Sequence, residues 1–363
     1  MKSLYTSIKE KSLSGKWIHY ATILPLLTKY KSVFKIEQIG VSFFKKQINT
    51  ITLGSGPIKI LMWSQMHGNE ATATKVIFDL LNLFNSEETS KEFKHVLNAC
   101  TLKIIPMLNP DGAKAYTRVN AQQIDLNRDA VSQDAVESKL LRQTLESFKP
   151  DFCFNLHDQR NIYSVGKTKE PASISFLSPS TEVTRKITPE RLQAMAVIVE
   201  MYKSLCADIP KNLSRYNDEF YPNATGDNFQ KEGYCTILIE AGHYANDYNR
   251  EEVRYFYFKA LLTGLLTIAS QNQIDSLDAY HKIPENDTLY LDCVFTNVNL
   301  LQNGQFSNVS VGILFLEEIK NNKHTRVPTI EKIGNFANYG ANTIKYLKGL
   351  QISSINELLL MLD

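Results

Sequence analysis

His67 and Glu70 in Ser64-Gln65-Met66-His67-Gly68-Asn69-Glu70, with His157 much later in the chain, have the residue types and order of a zinc site that keeps one coordination position open. Zinc takes neutral imidazole nitrogen and carboxylate oxygen at roughly 2.0–2.2 Å, and three protein ligands leave a fourth place for water. On spacing alone Glu70 is equally an acid that favours a helix N-terminus, and His67 a loop residue. The pair gains meaning from what surrounds it.

Those surroundings repeat one arrangement. His67 and Glu70 follow the apolar run Ile58–Ser64 and precede a helical pattern. His157 ends Phe152-Cys153-Phe154-Asn155-Leu156-His157, and Glu240 ends Thr236-Ile237-Leu238-Ile239-Glu240. In α/β sheets the ligand crevices lie at the carboxyl ends of strands. An acid carried out of an apolar strand is set for a raised pKa, which a general base acting on water beside a metal needs. Asp158 is a candidate to orient an imidazole, and His243 is an alternative fourth ligand. A further piece, Asn109-Pro110-Asp111-Gly112, is a turn signal. It leads to Arg118 and then to Asp125-Leu126-Asn127-Arg128-Asp129, where guanidinium groups offer bidentate forks for a carboxylate.

In this order the pieces resemble the zinc carboxypeptidase family, the carboxypeptidase A-like metallopeptidases, over residues 50–245. The resemblance implies a three-layer α/β/α domain with a mixed, mostly parallel sheet. It implies that His67, Glu70 and His157 hold one Zn2+ ion, that Glu240 is the general base and acid, and that Arg118 polarises the scissile carbonyl. Asn127 and Arg128 would grip the substrate's terminal carboxylate. A tyrosine upstream of the base is expected over the substrate; Tyr216 is assigned that role, with Tyr221 competing for it. Gly226 and Asp227 are expected near the floor of the side-chain pocket.

The implied activity is a zinc-dependent metallocarboxypeptidase that hydrolyses the amide next to a free C-terminal carboxylate, with a peptide or acyl-amino acid as substrate. The short interval from Arg118 to Arg128 is also similar to the desuccinylase and aspartoacylase group. That leaves, as an alternative, a zinc amidohydrolase acting on N-acyl amino acids or cell-wall peptides. A reading of another class is a non-catalytic binding protein on the same scaffold. Such proteins usually lose a ligand or the base, and here all four residues are present.

The elements that must position these residues are legible in outline. Ile58–Ser64, Leu102–Leu108, Phe152–Leu156 and Ile237–Glu240 read as buried strands. Helical faces run through Val76, Ile77, Leu80, Leu81 and Phe84, through Leu192, Met195, Ala196 and Val199 behind a Thr188-Pro189-Glu190 start, and through Val253, Phe256, Ala260 and Leu265. Alternating strands and helices predict a sheet covered on both sides. The polar stretch 270–278 predicts a boundary between a catalytic domain, residues 1–272, and a small C-terminal module of β character, residues 273–363. That module shows no cluster of potential ligands and is assigned no chemistry.

With 363 residues, 43% of them hydrophobic, the chain can bury a full core. Its 40 basic and 38 acidic residues leave a formal net charge of +2, too little for a nucleic-acid surface. Five scattered cysteines without C-x-x-C spacing disfavour a disulfide framework and a thiolate zinc site. The polar start and the lack of an 18-residue apolar run predict a cytoplasmic protein with no membrane span.

Overall fold

The computed structural model describes residues 1–86, 91–271, 277–302 and 304–362. The strands β1 (Lys35–Val41), β2 (Gln47–Leu53), β3 (Ile58–Ser64), β4 (Cys100–Ile105) and β5 (Phe152–Asp158) come first. The two-residue β6 (Ser164–Val165), then β7 (Ile174–Leu177), β8 (Leu213–Arg215) and β9 (Cys235–Ala241) follow. Eight of them form a sheet in the order β1-β2-β4-β3-β5-β9-β7-β8. β4, β3, β5 and β9 run parallel, whereas β1–β2, β2–β4 and β7–β9 are antiparallel pairs.

The central strands are apolar throughout because both of their faces are covered. In β3, Ile60 and Met62 enter one core while Leu61 and Trp63 enter the other. The first core is closed by the helices Thr72–Asn85, Pro189–Leu205 and Glu251–Ser270, the second by the helix Val136–Phe148. The α/β/α layering and mixed sheet expected from the sequence are therefore borne out.

Two buried ion pairs tie the first helical layer together. Arg254 donates to both carboxylate oxygens of Asp79 at 2.6 and 2.7 Å, with both side chains fully buried. Lys75 reaches Glu251 at 2.7 Å and the carbonyls of Gly15 and Asn249.

The helix Pro189–Leu205 starts as predicted, with the Thr188 side chain accepting from Arg191 N and proline at its first position. Its buried face matches the expected one in part. Met195 and Val199 are buried as expected, but Leu192 is 40% exposed and Ala196 only partly buried, and the helix also buries Arg191, Ala194 and Ile198. The reason is polar: the Arg191 guanidinium is drawn inside by the Ser178 carbonyl and the Asp218 carboxylate.

The expected boundary at 272/273 falls on residues outside those described. Beyond it lie β10 (Asn286–Asp287), which pairs with β6, and β11 (Tyr290–Gln302), β12 (Gln305–Lys320), β13 (Lys323–Gly334) and β14 (Gly340–Ile352). The last four form one sheet in the order β13-β12-β11-β14. One face, with Phe295, Val298 and Ile313, is covered by the short helix Ile355–Leu359 through Leu358. On the other, Leu291, Val294 and Leu314 pack on Ile162 of the larger body. This sheet is thus built into the wall of the large body, a placement no local sequence pattern carries.

Candidate metal centre and cleft

The site grows out of the carboxyl ends of three adjacent parallel strands. β3 leads into the loop carrying His67 and Glu70, β5 ends in His157-Asp158, and β9 carries Glu240 in direct register with His157. The loop after β3 is held by the Asn-Pro-Asp-Gly turn. Asn109 N donates to the Gln65 carbonyl, Asn109 Nδ2 to the Met66 carbonyl, and Asn109 Oδ1 accepts from Gly112 N. Gly68 sits so close to this turn that a Cβ there would lie 2.0 Å from the carbonyl carbon of Gly112. That contact explains the glycine between the histidine and the glutamate.

Among the described residues, His67, Glu70 and His157 bring one ligand atom each to within 4.8 Å of one another, all three residues being buried. His67 Nδ1 faces Glu70 Oε1 at 2.8 Å, and His157 Nδ1 faces Glu70 Oε2 at 2.8 Å. Two imidazole nitrogens converging on one carboxylate are the donor set zinc prefers, so the residues present fit that ion. Burial would raise the Glu70 carboxyl, but the two imidazoles hold it well below its ordinary value, and it stays ionised. Burial pushes His157 down despite Glu70, leaving a neutral imidazole whose lone pair is available.

Asp125 completes the arrangement, a role the sequence reading did not assign. Its Oδ1 lies 3.0 Å from His67 Nε2 and its Oδ2 accepts from Arg118 Nε at 2.9 Å. Burial works against its charge, yet the His67 hydrogen bond keeps the carboxyl far below the usual range. A carboxylate on the far nitrogen fixes which nitrogen of a ligating histidine points inward. The clue was available: Asp125 opens the Asp-Leu-Asn-Arg block, and a ligating histidine calls for such a partner.

Asp158, expected to orient an imidazole, is otherwise engaged. Its Oδ2 accepts from the Thr72 hydroxyl at 2.7 Å and from Thr72 N at 3.3 Å, at the start of the helix Thr72–Asn85, and it pairs with Arg250 at 3.2 Å. An acid at a helix N-terminus is well placed, and Thr72 and Arg250, not an imidazole, are the partners its Oδ2 takes. His243 is also apart from the cluster. It lies against Tyr248 and Tyr290, and burial pushes its pKa down to about 4.

Arg118 Nη1 lies 3.3 Å from His67 Nδ1 and 3.6 Å from Glu70 Oε1, half exposed at the cleft mouth. Glu240 Oε2 is buried without a hydrogen-bond donor. Burial, then the neighbouring Glu70 and Asp158 charges, raise the Glu240 carboxyl well above its ordinary value. Tyr216 is partly buried, edge-on to Tyr163 at 5.3 Å, and its hydroxyl is raised by burial and then by the charge of Glu240. Tyr221 lies elsewhere, half exposed with the Arg128 guanidinium over its ring.

The structure does not bring Arg128 against the cluster. It is exposed, with Nη1 donating to the Asn127 carbonyl. Asn127 Oδ1 accepts from Thr225 N at the start of the helix Thr225–Lys231. Asp227, in that helix, is buried and accepts from Tyr221 N; burial lifts its carboxyl to about 6.

A cleft of about 310 Å³ opens beside the cluster, lined by Glu70 and Arg118 on one side and by Leu314, Phe315 and Glu317 of β12 on another. Arg128, Tyr216 and Glu240 are not among its walls. Glu317, to which the sequence gave no signal, pairs with Lys16 and accepts from the Tyr116 hydroxyl at 3.0 Å.

Residues 19–131 match the zinc carboxypeptidase family. Carboxypeptidase M of Mus musculus is 22% identical over 244 residues, covering 61% of this chain and 52% of that protein, so the chain spans about half the length of this relative. Among solved structures, the fold is shared with the carboxypeptidase A of Helicoverpa armigera (TM-score 0.56, 16% identity, 74% of this chain and 80% of that one). It is shared equally with a metallo-carboxypeptidase of Burkholderia cenocepacia (TM-score 0.54, 16% identity, 69% and 68%). The resemblance read from the sequence is borne out, and zinc is the metal this family's name carries. Among the described residues, no helix is long and apolar enough to cross a membrane.

Proposed function

We propose that this chain, similar to zinc carboxypeptidases in its sequence over residues 19–131 and in its fold, is a zinc-dependent metallocarboxypeptidase acting on the amide bond next to a free C-terminal carboxylate. The observation that carries the reading is the convergence of His67, Glu70 and His157 with Glu240 in register beside His157. Residues 1–272 are the catalytic domain in this reading, and the small C-terminal module, residues 273–363, is an addition to it.

His67, Glu70 and His157 would hold the ion. When bound, zinc supplies Lewis acidity toward a water molecule and the scissile carbonyl. The chain's own groups do the remaining work. Glu240, whose carboxyl is held well above its ordinary value by burial and then by the Glu70 charge, is a stronger base than an ordinary carboxylate; it takes a proton from the attacking water and returns it to the leaving amine. Arg118, already held by Asp125, offers Nη hydrogens to the oxygen that gains negative charge. Tyr216 borders the base, and Asn127 and Arg128 receive the terminal carboxylate. Arg128 is exposed, with Nη1 on the Asn127 carbonyl and its guanidinium over the Tyr221 ring, so an arriving anion has access to it.

The test is zinc-loaded protein on a panel of N-blocked dipeptides with free or amidated C-termini. Release of the C-terminal amino acid from the free acids alone is the expected result. Equal cleavage of amidated and free-acid substrates overturns the reading.

A further inference from the structure

The charged residues on the walls of the cleft beside the metal cluster divide by exposure. The acids Glu70, Asp158, Asp292 and Glu317 are buried or nearly so, and each is engaged. The two imidazoles take Glu70, Thr72 and Arg250 take Asp158, and Lys16 takes Glu317. Asp292 accepts from Asn161 Nδ2 at 3.1 Å and from Phe315 N at 2.7 Å. The charged groups that do open to solvent on these walls are cations: Arg118 and Arg160 have 46% and 69% of their side chains exposed. The accessible charge that a ligand meets there is therefore positive.

Arg118 is held by Asp125 and lies against His67 and Glu70, whereas Arg160 has no comparable anchor. Its Nη2 is 3.7 Å from Glu331 Oε2 of β13, too far for a hydrogen bond, and both groups are exposed. An ion pair of that kind adds little, and it gives way to a carboxylate that meets the guanidinium with two oxygens. The backbone on either side of Arg160 is fixed. Gln159 N donates to the Ala241 carbonyl at 2.7 Å, the Gln159 carbonyl accepts from Arg250, and Asn161 is tied to Asp292. An open guanidinium thus stands on a firm base, three residues after the candidate ligand His157. On the same walls Leu314, Phe315 and Leu316 of β12 offer apolar surface to the carbon chain that carries an acid.

We propose that this cleft receives a second carboxylate of the substrate, other than the terminal one, and that Arg160 is the residue that selects it. The substrate class is a peptide or acyl-amino acid with an acidic side chain or a dicarboxylic acyl group. The inference rests on the carboxypeptidase reading for the rest of the substrate, and it leaves the side of the amide that bears the second acid to be read from the arms of the test.

Three isosteric pairs of ligands, all with a free C-terminal carboxylate, are titrated by calorimetry into the zinc-loaded Glu240→Gln protein at fixed ionic strength, so turnover plays no part. One pair has Glu or Gln before the amide, one has Glu or Gln after it, and one has a succinyl or succinamyl group as its acyl part. In at least one pair the acidic member is expected to bind about fivefold tighter or more than its amide partner, the scale of a charge-assisted bond at a partly exposed cation. In that pair Arg160→Gln should bring the ratio toward one. Lys35→Gln, which removes a charge of similar exposure from the outermost strand β1, should leave it unchanged. Ratios near one in all three pairs with Arg160 intact overturn the proposal, whatever becomes of the variants. So does tighter binding of the amides, or absence of binding by all six ligands. An Arg160→Gln protein that keeps the ratio also overturns it, and so does a Lys35→Gln protein that lowers the ratio as much, since the preference then belongs to net charge. Failure of the wild type to hydrolyse any of these ligands counts against the carboxypeptidase reading instead, and the binding ratios judge the subsite separately.

Discussion

His157 and Glu240 are register partners on the adjacent parallel strands β5 and β9. A candidate metal ligand and a candidate base are thereby set by one run of backbone hydrogen bonds, and a side-chain change at one leaves the other in place. Glu240→Gln keeps the shape and the neighbours but cannot accept the proton. Turnover by the zinc-loaded variant is expected to fall by at least about 10²–10⁴-fold, the usual share of a general base, with zinc content unchanged by elemental analysis. Wild-type turnover in the metal-loaded variant would remove Glu240 from the mechanism.

Asp125→Asn tests the partner of His67. The amide oxygen can still bond Nε2, but the negative charge that strengthens the imidazole as a ligand is gone, and Arg118 Nε loses its acceptor on this side chain. Zinc affinity measured by competition with a chelator is expected to drop about 10–100-fold. An unchanged dissociation constant would mean that Asp125 merely fills space.

Gly68→Ala adds a methyl group where the backbone of Gly112 already stands. Neither segment is a flexible side-chain end, so the loop between His67 and Glu70 must shift. A stability loss of about 1–3 kcal/mol is expected from the crowding, together with weaker zinc binding. Native zinc affinity in the variant would show that the loop can yield at no cost to the ligands.

Asp79→Ala leaves Arg254 charged and fully buried. Removing one member of such a pair costs about 3–5 kcal/mol, to be read from the urea midpoint. The double variant Asp79→Leu with Arg254→Met should recover much of that loss, since it leaves no unpaired charge. A double variant as unstable as the single one would assign the loss to packing instead.

Acid sensitivity has a named contributor in Glu251. Burial would raise its carboxyl, but Lys75 and Lys9 draw it from 4.5 down to about 2. A carboxyl depressed in the folded state binds its proton more readily when unfolded. Its stabilisation is therefore full above about pH 4.5 and fades as the pH falls toward 2. The shift corresponds to at most roughly 3 kcal/mol. Wild type should exceed Glu251→Gln in unfolding free energy near pH 6, and the gap should close by pH 2. A gap that is constant over this range would exclude the ionic contribution.

Much of the framework was written locally. The apolar runs from Ile58, Phe152 and Ile237 specify strands buried on both faces. Thr188-Pro189 specifies a helix start, and Asn109-Pro110-Asp111-Gly112 a turn. Each depends on neighbours in the chain, so each is readable from it. His67, Glu70, His157 and Glu240 were legible as a set because strand ends in an α/β sheet have a fixed place relative to one another. Other features depended on partners far apart in sequence. Arg191 turned inward for Asp218, Asp158 was claimed by Thr72 and Arg250, and Asp125 met His67 across 58 positions. The C-terminal sheet shows the limit most clearly. Its alternating apolar residues announced strands, but that Glu317 pairs with Lys16, 301 residues away, on the wall of the cleft beside Glu70 was decided only by how one face of that sheet packs on Ile162. Local periodicity determines which face of a strand is apolar; what that face covers is set by long-range packing, which leaves no pattern in the chain.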